Sequence, residues 1–198
     1  MATKITTQSG NVITNPPIAR FLFDDTRISV VWLLLRVWLG YTWISASLHK
    51  LSSPDWMQTG AALQGFWANQ VKVPATGSPA IAVDWYRSFI QFMLDSGSYV
   101  WFAKLVAFGE FAVGIALIIG AFVGVAAFFG AFMNWNFMMA GVASTSPLLI
   151  LVALLLILAW KTAGYWGADR FLLPRLGTPW TPNRREAAVV KEAKPSAA

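Results

Sequence analysis

The sequence predicts an all-α integral membrane protein, a bundle of four transmembrane helices with a helical extracytoplasmic loop between spans one and two. Its composition supports this fold class, because 57% of the 198 residues are hydrophobic and only 12% are charged. A soluble domain typically carries about 25% charged residues. The chain also contains 11 Trp and 14 Phe, which proteins use heavily in apolar interiors and at membrane interfaces. Too few charges remain to cover the surface of a soluble domain.

Four apolar segments supply the predicted spans, and each has about the 20 residues that cross a hydrocarbon layer as a helix. They cover approximately 27–48, 99–120, 121–142 and 147–166. Gly120 and Gly124 predict a tight turn between the second span and the third. The Ser146-Pro147 pair is a typical helix start and precedes the fourth span.

The connection 52–98 is long and of mixed polarity. It contains two amphipathic segments that we expect to be helical, 56–71 and 81–94, separated by prolines and Gly77. Helices of this kind lie on a bilayer surface or cap a bundle. The sequence leaves open whether this connection is a packed cap or a functional lid.

Two polar tails flank the predicted membrane domain 27–180. They are an N-terminal tail, 1–26, and a basic C-terminal tail, 181–198. Lys and Arg are concentrated on the flanks of the first and last spans, and sparse in the connection 52–98. The positive-inside rule then places both termini in the cytoplasm. We therefore expect a multi-pass protein of the cell (inner or plasma) membrane, in direct contact with the lipid bilayer.

The residue inventory excludes several classes of function. The chain has no Cys and a single His, so it cannot by itself form a thiolate zinc site, an iron–sulfur cluster or a bis-histidine haem site. We expect no metal, haem or cluster in this chain. The net charge of +6 is assigned to membrane topology and not to nucleic-acid binding, because charged residues are few.

Two ionisable residues lie inside predicted spans, where charge is costly and marks pairing or function. Arg36 and Glu110 each lie roughly 14–15 Å from the cytoplasmic end of their span at helical rise. We predict that they form an ion pair facing the bundle interior. Such a pair fixes helix register, or else it makes Glu110 a proton carrier or part of a quinone-headgroup site.

Three further polar residues, His49, Lys50 and Asn134, are candidates for ligand binding near the outer side. His49 is the chain's one histidine, and histidine is suited to exchanging protons near neutral pH. Lys50 follows it at the end of the first span. Asn134 and Asn136 flank Trp135 in the third span, and we expect at least one of them to form an interhelical hydrogen bond.

Several segments of the chain are similar to a known family. They are RVWLGYTWISASLHKL at 36–51, FWANQ at 66–70, the segment 84–141 with its GEFAVGIALIIGAF run, and AWKTAGYWGADRFLLPRLGTPW at 159–180. Over about 28–180 the chain resembles the DoxX family, and within it the DoxD-like membrane subunit of thiosulfate:quinone oxidoreductase. The resemblance implies a four-helix membrane bundle linked to quinone-dependent oxidation of sulfur compounds. By motif match, Arg36, Lys50 and Glu110 are recurring polar positions of the family.

Two functions stay open at this point. In the first, the chain is a subunit of a quinone-linked oxidoreductase of the thiosulfate:quinone type, binding quinone or moving protons while a partner subunit supplies the redox centre. Glu110 and Arg36 are then the catalytic candidates, and His49, Lys50 and Asn134 the quinone-binding ones. In the second, the chain is a non-catalytic accessory subunit of a larger respiratory or photosynthetic membrane complex. Whether it acts as an enzyme is undecided by the sequence.

Overall fold

The structure, a computed structural model, describes residues 5–6, 12–13 and 15–177; the predicted C-terminal tail 181–198 lies outside this range. Two two-residue strands, β1 (Ile5–Thr6) and β2 (Val12–Ile13), pair antiparallel, and a 3₁₀ turn covers Thr26–Ile28. The helices are α1 (Pro17–Asp24), α2 (Ser29–Leu51), α3 (Pro54–Met57), α4 (Ala61–Gln70), α5 (Asp84–Asp95), α6 (Tyr99–Ile119), α7 (Val123–Met139), α8 (Ser146–Leu158), α9 (Trp160–Ala163) and α10 (Asp169–Arg175). Apart from this pair of two-residue strands, the described residues confirm the predicted all-α character.

The predicted spans are represented by helices of unequal length. Two helical segments are long and apolar enough to cross a membrane, Thr26–Leu51 with 26 residues and Tyr99–Ile119 with 21. The next two are shorter, since α7 has 17 residues and α8 has 13. By length and composition the structure therefore supports two candidate spans, and the expectation of four is met in part.

The two long helices run antiparallel and approach each other through glycine. A Cβ atom added at Gly40 of α2 would lie 2.9 Å from the carbonyl oxygen of Gly114 in α6, and one added at Gly114 would lie 2.9 Å from that of Gly40. Real side chains do not tolerate this distance to backbone, so only glycine permits the contact. It makes Gly40 level with Gly114 and sets the register of the whole helix pair.

The bundle has two distinct ends. We call the end with the α6–α7 connection (120–122) the turn end, and the opposite end, covered by α3, α4 and α5, the cap end. The cap is firmly packed, because it buries its own cluster of apolar side chains against α6 and α7: Leu63, Trp67, Ile81, Tyr86, Ile90, Met93, Ala103 and Ala140. The helical character predicted for the connection 52–98 is thus confirmed, with Gly60 (φ +70°) separating α3 from α4.

The N-terminal helix α1 lies at the turn end, within the segment predicted to be a polar tail. Its main-chain carbonyls accept hydrogen bonds from two bundle residues, Trp32 Nε1 to Leu22 (2.9 Å) and Thr162 Oγ1 to Phe23 (3.2 Å). Lys161 Nζ also contacts Asp24 at 2.8 Å. These contacts hold α1 against α9.

Candidate functional site

Arg36 and Glu110 are both buried, each 1% exposed, but the predicted ion pair between them is wrong. The Arg36 guanidinium donates instead to three main-chain carbonyls, those of Leu117 (2.6 Å), Ile118 (2.8 Å) and Trp166 (3.0 Å). Glu110 accepts a hydrogen bond from Lys50 Nζ through its Oε1 atom. Each charge therefore has its own set of partners at a different level of the bundle.

The error has a simple geometric cause. Because Gly40 is level with Gly114, the α6 residue level with Arg36 lies near position 118, and Glu110 is about eight residues or 12 Å further along the bundle. The depths predicted from sequence would be comparable only if α2 began at the level where α6 ends. In the structure α6 ends level with the second turn of α2, and the chain segment 164–169 packs beneath it.

Asp169 completes the arrangement around Arg36 at the turn end. Its carboxylate accepts hydrogen bonds from the main-chain N–H groups of Phe122 (2.5 Å) and Val123 (2.9 Å), which begin α7. Burial raises the pKa of Asp169, while those N–H groups and the Arg36 charge act to lower it. An acid at a helix N-terminus satisfies otherwise unpaired donors and complements the helix dipole. Arg36 and Asp169 thus join the ends of α6 and α7 to the C-terminal segment, which is a structural role.

Lys50 and Glu110 form a buried ion pair at the other end of the same helices. The side chain of Glu110 is 1% exposed and that of Lys50 is 18% exposed. Two aromatic rings cover the ammonium group, Trp56 of the cap with its centroid 5.1 Å from Nζ and Phe137 of α7 at 5.6 Å. The pair is therefore enclosed by α2, α6, α7 and the cap.

Besides Arg36 Nε at the turn end, three buried side-chain atoms have no hydrogen-bond partner among the described residues: Glu110 Oε2, Trp43 Nε1 and Asn134 Nδ2. Gly130 of α7 faces the indole, since a Cβ atom added there would lie 3.1 Å from Trp43 Nε1 and 3.3 Å from Val113 Cγ1.

The register of the helices places the three residues that carry these atoms at similar heights in the bundle. Glu110 lies one turn from Val113 in α6, and Asn134 lies one turn from Gly130 in α7, both toward the cap end. Trp43 is level with them because Gly40 meets Gly114. We call Trp43, Lys50, Glu110 and Asn134 the polar layer.

The polar layer has the chemistry of a small binding site. It offers a carboxylate oxygen that accepts hydrogen bonds, two neutral donors (an indole N–H and an amide) and an ammonium group. An unpaired polar atom buried in an apolar interior costs about 1–3 kcal/mol. Hydrogen bonds to a small group that carries both acceptors and a donor, such as a carbonyl, a hydroxyl or water, would remove this cost for the three atoms.

Not every predicted residue joins this layer. His49 precedes Lys50 in α2 but lies on the exposed side of the helix, off the buried face that carries Trp43 and Ser47. The interhelical hydrogen bond expected of an asparagine is formed by Asn136, whose Oδ1 accepts from Tyr86 Oη at 3.2 Å. Asn134 is buried at 2% exposure and contributes to the layer instead.

Two of the buried polar residues were not predicted from the sequence. Trp43 was hidden among the chain's 11 tryptophans, most of which look like interface residues in sequence. Its spacing from Arg36, Leu39, Gly40 and Ser47 is the signal that would place it on the inward face of α2. Asp169 follows the apolar fourth span directly, and a lone carboxylate beside a glycine-rich turn was a visible though unspecific signal.

A separate open cleft of about 500 Å³ lies in the cap, between α4 and the start of α6. Asp95 is the charged residue in its lining, and the remaining lining residues are small or neutral: Ala61, Gln64, Gly65, Ala68, Leu94, Gly97 and Tyr99. Within the described part of the chain, no group of three His, Cys, Asp or Glu residues could hold a metal ion. The polar layer therefore carries more chemistry than this cleft.

The chain matches no protein-family model, no curated protein and no solved structure. Its class is accordingly defined by the fold and the site alone. It is an all-helical protein with two helices suited by length and composition to a membrane, and a buried polar layer between its main helices.

Proposed function

We propose that this chain is a four-span membrane protein of the DoxX type that binds a quinone headgroup in its polar layer, as a subunit of a quinone-linked oxidoreductase. The observation that carries the proposal is the buried Lys50–Glu110 pair accompanied by unpaired donors at Trp43 and Asn134. A structural ion pair alone does not require unsatisfied donors at its own level.

The membrane assignment is supported by the outward faces of four helices. Each presents exposed apolar side chains, among them Leu34 of α2, Leu105 of α6, Phe128 of α7 and Leu151 of α8. The 17 residues of α7 extend about 25 Å, and α8 with α9 covers a similar length. Shorter helices are accommodated by local bilayer thinning at modest cost. We therefore propose a topology of four spans with both termini in the cytoplasm.

The residues of the polar layer have distinct tasks in this proposal. Trp43 Nε1 and Asn134 Nδ2 would donate hydrogen bonds to carbonyl oxygens, and Glu110 Oε2 would accept one from a hydroxyl and exchange its proton. Lys50 would supply the counter-charge to the ionised form of Glu110. A quinone, when bound, supplies a two-electron, two-proton couple. The electrons come from another subunit, because this chain has no Cys and one His.

Quinone content tests the binding site directly. Protein purified in mild detergent from membranes is extracted, and bound quinone is measured by chromatography and mass spectrometry. We expect the wild type to retain quinone and the Trp43→Phe and Asn134→Leu variants to lose most of it. Trp38→Phe is the matched control, since Trp38 lies in the same helix but is 42% exposed. Equal quinone content in all four proteins would contradict the proposed site.

The stability of the same variants sharpens the test. Removing an unpaired buried donor relieves a desolvation cost. In quinone-free protein this relief offsets part of the packing that Trp43, a member of the apolar core, loses to the smaller ring. Trp43→Phe is therefore expected to lower the free energy of unfolding by less than the ~3–5 kcal/mol typical of removing a buried aromatic side chain. A marked loss of stability without any effect on quinone would assign Trp43 a packing role only.

Proton exchange is tested at Glu110. We expect Glu110→Gln to lower quinone reduction by membranes while the amount of protein stays close to wild type. Asp95→Asn, on the exposed side of the cap, serves as the control that should alter neither.

A non-catalytic accessory role is the second candidate, favoured by the exposed aromatic face of α7. Phe128, Phe129, Phe132 and Trp135 are each between 43% and 55% exposed, and they form two close ring pairs. Partner subunits of a respiratory or photosynthetic complex could cover this face. The accessory role predicts co-purification with such a complex, no bound quinone, and a Glu110→Gln variant that loses abundance but not turnover per molecule.

A further inference from the structure

Two short helices at the turn end expose apolar side chains away from the bundle. In α1 these are Ile18, 75% exposed, and Phe21, 51% exposed; beside or within α10 they are Phe171, 66%, and Leu176, 63%. Both helices are held in place. α1 is attached to α9 through Asp24 and Lys161, and α10 follows Ala168, whose N–H donates to the carbonyl of Ile119 at 3.0 Å.

The same surface carries arginines that lie outside the ion pairs of the described residues. Every carboxylate of the described residues at the turn end is already engaged: Asp24 with Lys161, Asp25 with Arg27, and Asp169 with the N–H groups of α7. No carboxylate among the described residues forms an ion pair with Arg20, Arg170 or Arg175. Arg170 packs over the Tyr165 ring at 5.2 Å, an interaction that leaves its N–H groups able to donate.

The charge is asymmetric between the two ends of the bundle. Over 15–177, the turn end carries six basic residues, Arg20, Arg27, Arg36, Lys161, Arg170 and Arg175, against three acids, Asp24, Asp25 and Asp169. The cap end carries Lys50, Lys72, Arg87 and Lys104 against Asp55, Asp84, Asp95 and Glu110. The cap end is thus balanced, and the turn end has an excess of three positive charges.

We propose that the turn-end surface formed by α1 and α10 binds anionic phospholipid. Arg20, Arg170 and Arg175 contact the headgroup phosphates, to which guanidinium groups can donate two parallel hydrogen bonds. The exposed side chains Phe21 and Phe171 enter the boundary between headgroups and acyl chains, as in interfacial helices. The occupant is a lipid, because the surface combines exposed arginine, outside the ion pairs of the described residues, with apolar side chains at one end of a bundle whose helices suit a membrane. The inference rests on the proposed membrane insertion and is independent of the quinone site.

Native mass spectrometry of the full-length protein in detergent tests this inference, with phosphatidylglycerol and phosphatidylcholine as the titrated probes. We expect phosphatidylglycerol to bind more tightly, and the double variant Arg170→Gln/Arg175→Gln to weaken its binding by about fivefold for each arginine removed. The matched control is Lys72→Gln/Lys104→Gln, which removes two charges from the cap end. The control should bind phosphatidylglycerol within about twofold of wild type, and both doubles should keep wild-type quinone content.

Several outcomes would overturn the inference. They are equal binding of the two lipids, an equal loss in both double variants, or unchanged phosphatidylglycerol binding in the turn-end double. Dissociation of a homodimer in the turn-end double, with lipid binding intact, would assign this surface to a second copy of the chain. Should the double fail to fold, the single variants Arg170→Gln and Arg175→Gln give the same readout at about fivefold each. Loss of quinone from the polar-layer variants with lipid selectivity intact separates the two proposals.

Discussion

At the scale of single residues, Glu110 is one of three ionisable side chains of the described residues, with Arg36 and Asp169, that are only 1% exposed. Its side chain is 1% exposed and its ion-pair partner among the described residues is Lys50, which is 18% exposed. The two partners are not equivalent. Lys50 has a long flexible stem near the cap end and can turn its ammonium toward water. Glu110 has a short side chain and cannot leave the bundle interior.

This asymmetry predicts unequal effects of removing either charge. Lys50→Met leaves a buried carboxylate without its counter-charge, and we expect it to lower the free energy of unfolding by about 3–5 kcal/mol. Glu110→Gln should cost less, because Lys50 can then extend toward solvent. The double variant Lys50→Met/Glu110→Gln should regain much of the unfolding free energy that Lys50→Met loses. Unfolding midpoints in detergent measure all three, and equal effects of the single changes would refute the asymmetry.

Two aspartates at the turn end should respond to pH in opposite directions. The hydrogen bond from Lys161 lowers the pKa of Asp24 below its ordinary value of 3.8, so its stabilising effect is present above that pH and lost below it. Burial raises the pKa of Asp169 above 3.8, so the fold prefers its protonated form and loses that preference as pH rises through the raised value.

The measurement compares unfolding midpoints of wild type, Asp24→Asn and Asp169→Asn between pH 7 and pH 3. As the pH falls, the unfolding midpoint of wild type should lose its lead over that of Asp24→Asn. Over the same range, the midpoint of wild type should rise relative to that of Asp169→Asn. A common direction for both variants would show that one of the two environments is assigned wrongly.

At the scale of elements, the α2–α6 pair organises the bundle through its glycine contact. Gly114 faces both the backbone of Gly40 and the side chain of Ile44, and a Cβ atom added at Gly114 would lie only 2.6 Å from Ile44 Cγ1. Gly109, in the same helix, would place a Cβ at an ordinary 3.5 Å from Met133 Sδ. There is therefore no room for a side chain at Gly114, whereas a methyl group fits at Gly109, five positions earlier.

We expect Gly114→Ala to separate α2 from α6 and to destabilise the protein by about 1–3 kcal/mol, the usual cost of overpacking. Gly109→Ala should be neutral or stabilising by up to about 1 kcal/mol, because alanine favours the helix. Since the register positions the polar layer, Gly114→Ala should also reduce quinone retention. Thermal unfolding measures the stability of the two variants, and extraction measures the quinone that each retains. Equal stability and equal quinone content in both would show that the Gly40–Gly114 contact does not set the register.

At the scale of the whole molecule, the ends of the bundle differ in charge and in covering. The cap end is charge-balanced and buried under α3, α4 and α5, whereas the turn end is basic. Positive charge remains preferentially on the cytoplasmic side of membrane proteins. The turn end is accordingly the cytoplasmic end in the proposed topology, and the cap faces the exterior.

Labelling of single cysteines tests this orientation, and the chain's lack of native Cys makes the experiment direct. Thr76→Cys lies in the exposed connection between α4 and α5, and Leu176→Cys lies at the turn end, where Leu176 is 63% exposed. A membrane-impermeant maleimide added to intact cells should label position 76 only, and position 176 should react after lysis. Labelling of both positions from outside would exclude the four-span topology.

Much of the secondary structure could be predicted from sequence because helix formation is local. Apolar runs such as 99–120 predict α6 closely, and Gly120 ends it with the expected left-handed backbone (φ +69°). The shortness of α8 was not foreseen, because the apolar run continues past Leu158 into α9 without a local breaker. Of the candidate residues chosen from sequence, Glu110, Lys50 and Asn134 lie in the polar layer, whereas Arg36 and His49 lie outside it, and Trp43 was missed.

The sequence by itself determined that the chain is helical, that its main helices are apolar enough for a membrane, and that Arg36 and Glu110 must be buried with partners. Which partners they have was decided only by the tertiary structure. The reason is register: the Gly40–Gly114 contact and the segment beneath the turn shift α6 along α2. That shift separates Arg36 from Glu110, gives Arg36 the α6 carbonyls near Asp169, and leaves Glu110 within reach of Lys50 in the polar layer.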